Sequence, residues 1–320
     1  MFKAMDKSLW SGRVDNEEDA PALRWHQVIQ EWNGQASLKG ATALLGFACD
    51  EGVRRNHGRE GAKQGPKAIR EALSNLAYFA DAQPFDIGDV SCEDTGLEAS
   101  QRLLSQHVQK ILDHDGKPIV LGGGHEVAWG SFMGLANHLK SSQGVPRIGI
   151  INIDAHFDLR KPDPHATSGT PFRQIAQWSD ENQQSFNCFA IGISPCNNTR
   201  ALFEYAKLHN VDWQVDVECI DSKLPNLEKR LESFMNKIDE LYVTICMDVF
   251  PSHACPGVSA PSALGIEPRW VIMLTHRLKE LCQLHQVNWR ISDIAELNPQ
   301  YDFDARSAKL AARLVHELVE

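Results

Sequence analysis

The chain has 320 residues, of which 42% are hydrophobic and 23% charged, ordinary values for a globular protein that can bury a sizeable core. Its formal net charge is -10 and its sequence contains no long run of Lys and Arg, which argues against nucleic acid or an anionic membrane as a partner. No apolar run approaches the ~18 residues that span a bilayer. The first ten residues also lack the pattern of a signal peptide. We therefore expect a cytoplasmic protein with neither nucleic acid nor a membrane as its partner.

Cysteine usage supports the same compartment. The chain has 8 cysteines, scattered without a CxxC pair, and several of them lie inside apolar runs. Such a distribution is typical of free thiols in a reducing environment, where most of them fill buried positions as small hydrophobic side chains. Cys246 is the one that needs a separate explanation.

The chain begins with a polar, weakly patterned stretch, residues 1–38, with at most a short helix near 22–32. We interpret it as an N-terminal extension packed on a single domain that spans 1–320. Short apolar runs typical of buried strands then alternate with segments of helical period. The predicted strands are 41–49, 85–90, 117–121, 148–153, 188–193, 241–248 and 289–297. The predicted helices are 67–76, 97–112, a segment through Trp129 and Leu135, 202–208, 224–238, 268–284 and 306–319.

This alternation, with no dividing linker rich in Gly, Ser or Pro, predicts an α/β fold. We expect three αβα layers, in which a mostly parallel sheet of about eight strands has helices on both faces. In such a fold the functional groups lie at the carboxyl ends of the strands. Two segments are predicted to be loops there, a Gly-rich polar loop at 50–65 and a second one at 160–172.

The most informative stretch is the apolar run from Ile148, which ends in Asp154, His156 and Asp158. Alternate residues of an extended chain point to the same side, so these carboxylates and this imidazole would share one face. That combination suits a metal ion. Taken alone, the same residues could be turn formers or solvated loop side chains.

Three further groups follow predicted strands and would meet the first group at the same sheet edge. They are His125 after a run of three glycines, the pair Cys246 and Asp248, and Glu296 after the last strand. Carboxylates with imidazole favour a hard to borderline ion such as Mn(II) over a structural zinc. The ligands are numerous enough for two ions, which would lie roughly 3.5 to 4 Å apart and share a bridging water.

Four blocks of the sequence resemble the signature blocks of the arginase/agmatinase (ureohydrolase) family. The blocks are GGGHE at 122–126, INIDAHFD at 151–158, TICMDVFPSHACPG at 244–257 and ELNP at 296–299. They occur in the family's order from about residue 44 to the C-terminus. The resemblance implies an arginase-like fold and a binuclear manganese hydrolase that attacks a planar C=N carbon. It also implies a homo-oligomer, because relatives are often trimers or hexamers.

The resemblance also implies a role for each residue by its position. Glu296 would receive the cationic amidine nitrogens of the substrate, and Asp158 would steer the bridging hydroxide and pass its proton. One manganese would be held by His125, Asp154, Asp158 and Cys246, and the other by Asp154, His156, Cys246 and Asp248.

Within the family, the loop from Asp158 to Phe172 most resembles that of the formimidoylglutamases of histidine degradation. It has Ser168 where arginases and agmatinases usually present a His. The implied reaction is hydrolysis of N-formimidoyl-L-glutamate to L-glutamate and formamide. Independently of the resemblance, this substrate has two carboxylates that suit arginine, and Arg160 follows the metal motif by two residues.

Further substrate contacts are predicted in the 50–65 segment, at Asn56 and Arg59. Arg54 and Arg55 are further candidates for binding the substrate carboxylates. For all three arginines of the segment, plain exposure on the surface is an equally good explanation. An agmatinase-like or other guanidino-acid ureohydrolase is the alternative enzyme, although Arg160 should repel a cation such as agmatine. A metal-binding but inactive family member is the alternative from another class.

One residue departs from the family pattern. The usual Ser-Phe-Asp-x-Asp block reads Thr244-Ile-Cys246-Met-Asp248, so a cysteine stands where a metal-bridging aspartate is expected. A thiolate is softer than manganese prefers. We therefore expect two manganese ions, with weaker binding at the site beside Cys246. An ordinary buried thiol is the alternative interpretation of this residue.

Overall fold

A computed structural model describes residues 1–15, 22–140 and 146–319 of the chain. Within these ranges, ten strands form one sheet. The strands are Phe2–Lys3 (β1), Gln30–Glu31 (β2), Thr42–Ala48 (β3), Phe85–Ser91 (β4), Lys117–Leu121 (β5), Ile148–Ile153 (β6), Asn187–Ile193 (β7), Asp212–Val215 (β8), Glu240–Cys246 (β9) and Asn288–Ala295 (β10). Their order across the sheet is β1-β4-β3-β5-β10-β9-β6-β7-β8, and β2 pairs with β4.

The sheet is almost entirely parallel, as predicted. Among the strands that the structure describes, only β1 pairs with its neighbour in the antiparallel sense, through Phe2 opposite Val90. Eight of the strands have four or more residues, which matches the predicted number, and the two-residue strands β1 and β2 are additions from the N-terminal segment. Every residue of β9 is buried, as is typical of a parallel strand covered on both sides.

Helices cover both faces and confirm the three-layer architecture. The helices are Trp25–Val28 (α1), Glu51–Arg55 (α2), Gly65–Ser74 (α3), Leu97–Asp113 (α4), Val127–Leu139 (α5), Pro171–Glu181 (α6), Arg200–Leu208 (α7), Leu224–Met235 (α8), Pro268–His285 (α9) and Arg306–Val319 (α10). One face of the sheet packs against α3, α8, α9 and α10, and the other against α4, α5, α6 and α7. In the described part of the chain, no helix is both long and apolar enough to cross a membrane.

One local prediction was wrong and two elements were missed. The 50–65 segment begins with the helix α2 instead of a glycine-rich loop. The predicted 160–172 loop is confirmed as far as residue 170, but Pro171 then opens α6, a helix that was not predicted. Strand β8 was also missed, since four residues are too few to show an alternating pattern. Helix α6 does show the helical period, with Phe172, Ile175 and Ala176 buried.

The N-terminal residues lie against the edge of the sheet. The predicted helix at 22–32 is shorter in the structure, where α1 is followed at once by β2. Trp25 is fully buried, and the indole Nε1 of Trp10 donates a 2.8 Å hydrogen bond to Asp86 Oδ2 on β4. These two indoles therefore anchor the N-terminal segment on the domain.

Candidate metal centre

The predicted site residues lie at or just after the ends of strands in the middle of the sheet. His125 follows β5, Asp154 follows β6, the end of β9 supplies Cys246, and Glu296 follows β10. These four strands are neighbours, in the order β5-β10-β9-β6. Because the strands are parallel, their carboxyl ends meet at one edge, and the side chains converge there.

The first half of the centre is built around His125. Its Nδ1 atom lies 2.9 Å from Asp154 Oδ2 and 3.0 Å from Asp158 Oδ2. Cys246 completes this half, because its sulfur and ligand atoms of His125 and Asp154 all lie within 4.8 Å of one another. All these side chains except that of Asp158 are almost completely buried.

The second half shares Asp154 with the first. His156 Nδ1 lies 3.5 Å from Asp154 Oδ1 and 3.2 Å from Asp248 Oδ2. Ligand atoms of these three residues also lie within 4.8 Å of one another. The two oxygens of Asp154 therefore face different halves, as required of a carboxylate that bridges two ions.

The donor atoms fit a cation better than they fit each other. His125 Nδ1 and Asp248 Oδ1 are buried and make no hydrogen bond of normal geometry within the described ranges, although carboxylate oxygens lie close to His125. Ligand atoms that converge on a common point have this arrangement. An imidazole with oxygen donors suits Mn(II), and the sulfur of Cys246 is the one soft donor.

The electrostatics of the centre also favour positive charge. Burial, followed by the nearby charge of Asp154, raises the pKa of Asp158, and burial raises the pKa of Asp248. Burial alone would lower the pKa of His156, but the carboxylates of Asp248 and Asp154 raise it to about 12. Each carboxylate here therefore becomes easier to ionise when a positive charge is close.

Cys246 shares this environment. Burial and then the charges of Asp154 and Asp248 raise the pKa of its thiol well above the ordinary value. The thiolate form, which binds metals, thus needs a cation beside it. The position of Cys246 in the cluster supports the prediction that it is a ligand. Because its sulfur is a soft donor and its thiol resists ionisation, it also supports the prediction of weaker manganese binding beside Cys246.

Glu296 is fixed by the glycine loop that also positions His125. The backbone N–H of His125 donates a 2.9 Å hydrogen bond to Glu296 Oε1, and the N–H of Glu296 donates to the carbonyl of Gly123 at 2.8 Å. A Cβ on Gly123 would lie 1.7 Å from the carbonyl oxygen of Cys49, so only glycine fits this approach. Burial raises the pKa of Glu296 well above the ordinary value.

Two of the site residues have left-handed backbone conformations, with φ of 48° at Asp158 and 68° at Glu296. Non-glycine residues rarely adopt this region, and those that do are concentrated at functional sites.

Helix α6, which was not predicted, also contributes to the centre. Phe172 donates its N–H to the Asp158 carbonyl at 3.2 Å, and its ring contacts the His125 ring edge-on, with centroids 5.4 Å apart.

The predicted substrate-binding residues divide into two groups. A Cβ on Gly169 would lie 2.9 Å from Arg160 Cδ and 3.4 Å from Asn56 Nδ2, so Arg160 and Asn56 are neighbours beside the 168–169 segment. Arg160 is exposed, whereas Ser168 is 7% exposed. Arg59 does not belong to this group. Its side chain is directed to another segment, where Nε donates to the Ser259 carbonyl at 2.9 Å.

The other arginines of α2 are engaged with acids. Arg54 Nη2 lies 2.7 Å and Arg55 Nε 2.8 Å from Glu51 Oε1, and Arg55 also pairs with Glu98 at 2.6 Å. The charges of Arg54 and Arg55 are therefore balanced within the protein, without a bound substrate.

Two residues near the centre were missed by sequence reasoning. Asn198, after β7, accepts the N–H of Phe157 at 3.0 Å and donates to the Ala155 carbonyl at 2.9 Å, so it fixes the ligand loop. Thr244 Oγ1 lies 2.9 Å from Nε2 of His125. Strand alternation could have revealed Thr244, because a residue two positions before Cys246 shares its face.

Comparison with known proteins agrees with this geometry. The Arginase family profile matches residues 41–320. The chain belongs to the arginase family.

Other members of the arginase family match along the whole chain. It is 46% identical to the formimidoylglutamase of Ralstonia nicotianae, over 100% of this chain and 97% of that protein. It is 44% identical to the formimidoylglutamase of Aeromonas hydrophila, over 100% of this chain and 99% of that protein. These relatives and this chain thus have nearly the same length.

Solved structures share the arginase-family fold. The formimidoylglutamase of Bacillus subtilis matches with a TM-score of 0.82 at 24% identity, over 97% of this chain and 94% of that one. The Trypanosoma cruzi formiminoglutamase with Mn2+ matches with a TM-score of 0.76 at 23% identity, over 93% and 98%. The predicted arginase-like fold is therefore confirmed.

Proposed function

We propose that this arginase-family protein is a formimidoylglutamase that hydrolyses N-formimidoyl-L-glutamate to L-glutamate and formamide. The observation on which the proposal rests is the full-length identity of 46% and 44% with proteins of that name. The placement of Arg160 and Asn56 beside the 168–169 segment supports an anionic substrate. A role in histidine breakdown in the cytoplasm belongs to the same proposal, and all 8 cysteines of the chain are free thiols.

We propose two manganese ions per chain, held as the two halves of the centre suggest. His125, Asp154, Asp158 and Cys246 would hold one ion. Asp154, His156, Cys246 and Asp248 would hold the other. The two donor clusters that share Asp154 support this assignment, and the T. cruzi structural relative contains Mn2+. When bound, such ions supply Lewis acidity that makes hydroxide available from water near neutral pH.

Glu296 would bind the formimidoyl group. Burial disfavours its charged form, so a cationic amidine beside it gains a strong, desolvated ion pair. The hydrogen bond from the His125 N–H holds one carboxylate oxygen in place. This fixed acid would orient the C=N carbon toward the metal centre and stabilise the positive charge on its nitrogens.

Asp158 would move the proton. During hydrolysis of the cationic amidine a water oxygen bonds to the formimidoyl carbon and the bond from that carbon to the glutamate nitrogen breaks. Both protons of the water pass to that nitrogen, so formamide and the ammonium form of glutamate leave. A carboxyl group with a raised pKa can accept a proton from the water and give it to the leaving amine. The backbone of Asp158 has a left-handed conformation, which non-glycine residues adopt mostly at functional sites.

Arg160, Asn56 and Ser168 would bind the substrate carboxylates, with Arg59 as a further candidate. Arg160 is the only one of them that offers a guanidinium fork in an exposed position beside the loop. Arg59 already donates to the Ser259 carbonyl and lies 4.1 Å over the ring of Tyr301. It would therefore shape the pocket wall more than it would pair with the substrate.

A single assay tests the proposal. The full-length chain with added Mn(II) is given N-formimidoyl-L-glutamate, and glutamate and formamide are measured in parallel with urea release from agmatine and from guanidino acids. Release of glutamate and formamide supports the proposed activity. Urea without glutamate would establish a guanidino-acid ureohydrolase instead, and no product from any of these compounds would favour an inactive metal-binding member.

A further inference from the structure

Arg55, the last residue of α2, joins several segments of the chain through its guanidinium group. Its Nε donates to Glu51 Oε1 at 2.8 Å within α2, and its Nη1 donates to Glu98 Oε1 at 2.6 Å in the first turn of α4. Its Nη2 donates to the Thr95 carbonyl at 2.9 Å, and Nη1 also donates to the Ala166 carbonyl at 3.2 Å. Only 15% of the side chain is exposed. The guanidinium group therefore connects α2 and α4 to the loop that precedes α6.

That loop, the 160–170 segment, depends on this contact. Its two ends are joined by the N–H of Arg160, which donates to the Gly169 carbonyl at 2.9 Å. Throughout the described part of the chain, the bond from Arg55 is the only hydrogen bond between the residues that lie between these ends and residues outside 158–174. The middle of the segment is thus held to the rest of the domain by one side chain.

Helix α2 is itself fixed to the loop that bears His125. The N–H of Gly52, in the first turn of α2, donates a 2.8 Å hydrogen bond to Oε1 of Glu126. The Glu126 side chain is fully buried, so this bond is shielded from water. The position of the 160–170 segment relative to the metal centre is therefore fixed through α2 and Arg55.

Two of the proposed carboxylate-binding residues lie on opposite sides of this connection. Asn56 follows Arg55 directly at the end of α2, and Arg160 begins the 160–170 segment. Both lie against Gly169. A carboxylate that both residues bind requires the helix and the segment at one fixed separation. An arginine suits this task, because its five N–H donors form a rigid planar fork that can hold several acceptors at once.

We propose that Arg55 is a positioning residue for the carboxylate end of the substrate, because it ties the 160–170 segment to α2 and so sets the separation of Arg160 and Asn56. Its own N–H groups already have acceptors within the protein, so Arg55 acts through these neighbours and not on the substrate. The inference rests on the proposed function, whose substrate supplies the carboxylates.

The first test is hydrogen exchange of the amides in the 160–170 segment, followed by mass spectrometry on the full-length chain without substrate. We expect these amides to exchange about 10-fold faster in Arg55→Ala, the effect of losing one hydrogen bond from a charged group. Arg54→Ala is the matched control for this measurement. Arg54 pairs with the same acid, Glu51, and within the described ranges it has no hydrogen bond to the segment, so the exchange should not change.

The second test is steady-state hydrolysis of N-formimidoyl-L-glutamate with added Mn(II). In Arg55→Ala we expect KM to rise by about 10-fold with little change in kcat, as when the binding arrangement is populated about one tenth of the time. Arg55→Lys keeps the charge without the fork and should recover only part of the loss. Arg230→Ala is the kinetic control, because Arg230 also joins a helix to other segments, through Gln214 Oε1 at 2.7 Å and the Trp213 carbonyl at 2.6 Å on the edge strand β8.

A further variant leaves Arg55 in place. Glu98→Ala removes the acid that holds Nη1, and within the described ranges Glu98 has no hydrogen bond to the 160–170 segment. The Glu98 side chain is 48% exposed, so its loss should leave the fold intact. Exchange in the segment and KM should both change in the same direction as in Arg55→Ala, by a smaller factor. The melting temperature of each variant is recorded alongside.

The outcomes are distinct. Normal exchange in the 160–170 segment of Arg55→Ala would overturn the inference and leave the proposed function standing. Equally fast exchange in Arg54→Ala, or complete recovery of KM in Arg55→Lys, would also overturn it, because loss of charge would then explain the effect. An unaltered chain without turnover would overturn the proposed function, while the exchange measurement would still decide whether Arg55 holds the segment. If Arg55→Ala does not fold, Glu98→Ala decides, and normal exchange with normal KM there would overturn the inference.

Discussion

The backbone N–H of His125 and the Oε1 atom of Glu296 are joined by a 2.9 Å hydrogen bond across 171 residues of sequence. One residue belongs to the first half of the metal centre, and the other is the proposed acid for the formimidoyl group. The glycine loop after β5 therefore sets both the metal position and the substrate position.

Replacing Glu296 with Gln should separate these two roles. The amide oxygen still accepts the His125 N–H, so manganese content should not change, while the ion pair with the amidine is lost. We expect kcat/KM to fall by about 10²- to 10³-fold, the usual effect of removing one charge-stabilising group. Steady-state kinetics and metal analysis on the same preparation check this. Normal kinetics in the variant would remove Glu296 from the mechanism.

Cys246→Ala should lower the manganese content of protein purified with excess Mn(II), because both proposed ions share this ligand. Cys246→Asp should bind at least as tightly as the unaltered chain, since a carboxylate is the harder donor. Cys255→Ala is the matched control, a buried cysteine outside the donor clusters. Unchanged stoichiometry and activity in Cys246→Ala would show that Cys246 is not a ligand.

Removing the metal should lower stability as well as activity. The buried carboxylates of Asp154, Asp158 and Asp248 repel one another, and a cation offsets that repulsion. At a free Mn(II) concentration 100 times the dissociation constant, one ion stabilises the fold by about 2.7 kcal/mol. Thermal melting before and after chelation measures the effect. A melting temperature that does not respond to Mn(II) would contradict it.

Arg160→Ala should weaken binding of the substrate with less effect on the chemical step. Losing a charged hydrogen bond to a carboxylate costs about 1.5–3 kcal/mol, which corresponds to a rise in KM of roughly 10- to 150-fold. Arg200→Ala is the control, because the Arg200 side chain is 92% exposed and pairs with Glu204 on the surface. An Arg160 variant with normal KM would shift the assignment to other residues of the pocket.

Cys92 should react with alkylating agents at lower pH than an ordinary thiol. Hydrogen bonding from the Cys49 thiol, opposed by burial and aided by Ser100, lowers the pKa of Cys92. Since the thiolate is the reactive form, the labelling rate should rise with pH and reach half its maximum below about 8.5, the value of a free cysteine. Mass spectrometry of labelled peptides across a pH series measures this, with Cys92→Ser as the blank. A half-point at or above that value would exclude the effect.

The sequence was a good guide where a residue's position relative to a strand end decides its location. Asp154, His156 and Asp158 follow a continuous apolar run, so their position just after a strand was enough to predict that they gather at the sheet edge. The extended alternation expected for them is absent, because the strand ends at Ile153 and Asp158 has a left-handed backbone. The parallel order of the sheet then brought His125 and Cys246 to them.

Contacts between loops could not be predicted in the same way. The engagement of Arg59 with the Ser259 carbonyl joins segments 200 residues apart, and no local pattern reports such a pairing. The Gly-rich composition at 50–65 concealed α2, whose arginines pair with Glu51.

The four strands that bear the site residues lie in the middle of the sheet, and this has a consequence for how the centre is lost. Each of β5, β10, β9 and β6 is hydrogen-bonded on both sides. Central strands open only when the whole domain unfolds, so their amides exchange slowly with solvent. The arrangement of donors around Asp154 should therefore last as long as the native state itself, and the metal-free chain should recover activity on adding ions at the rate of ion entry, with no refolding phase.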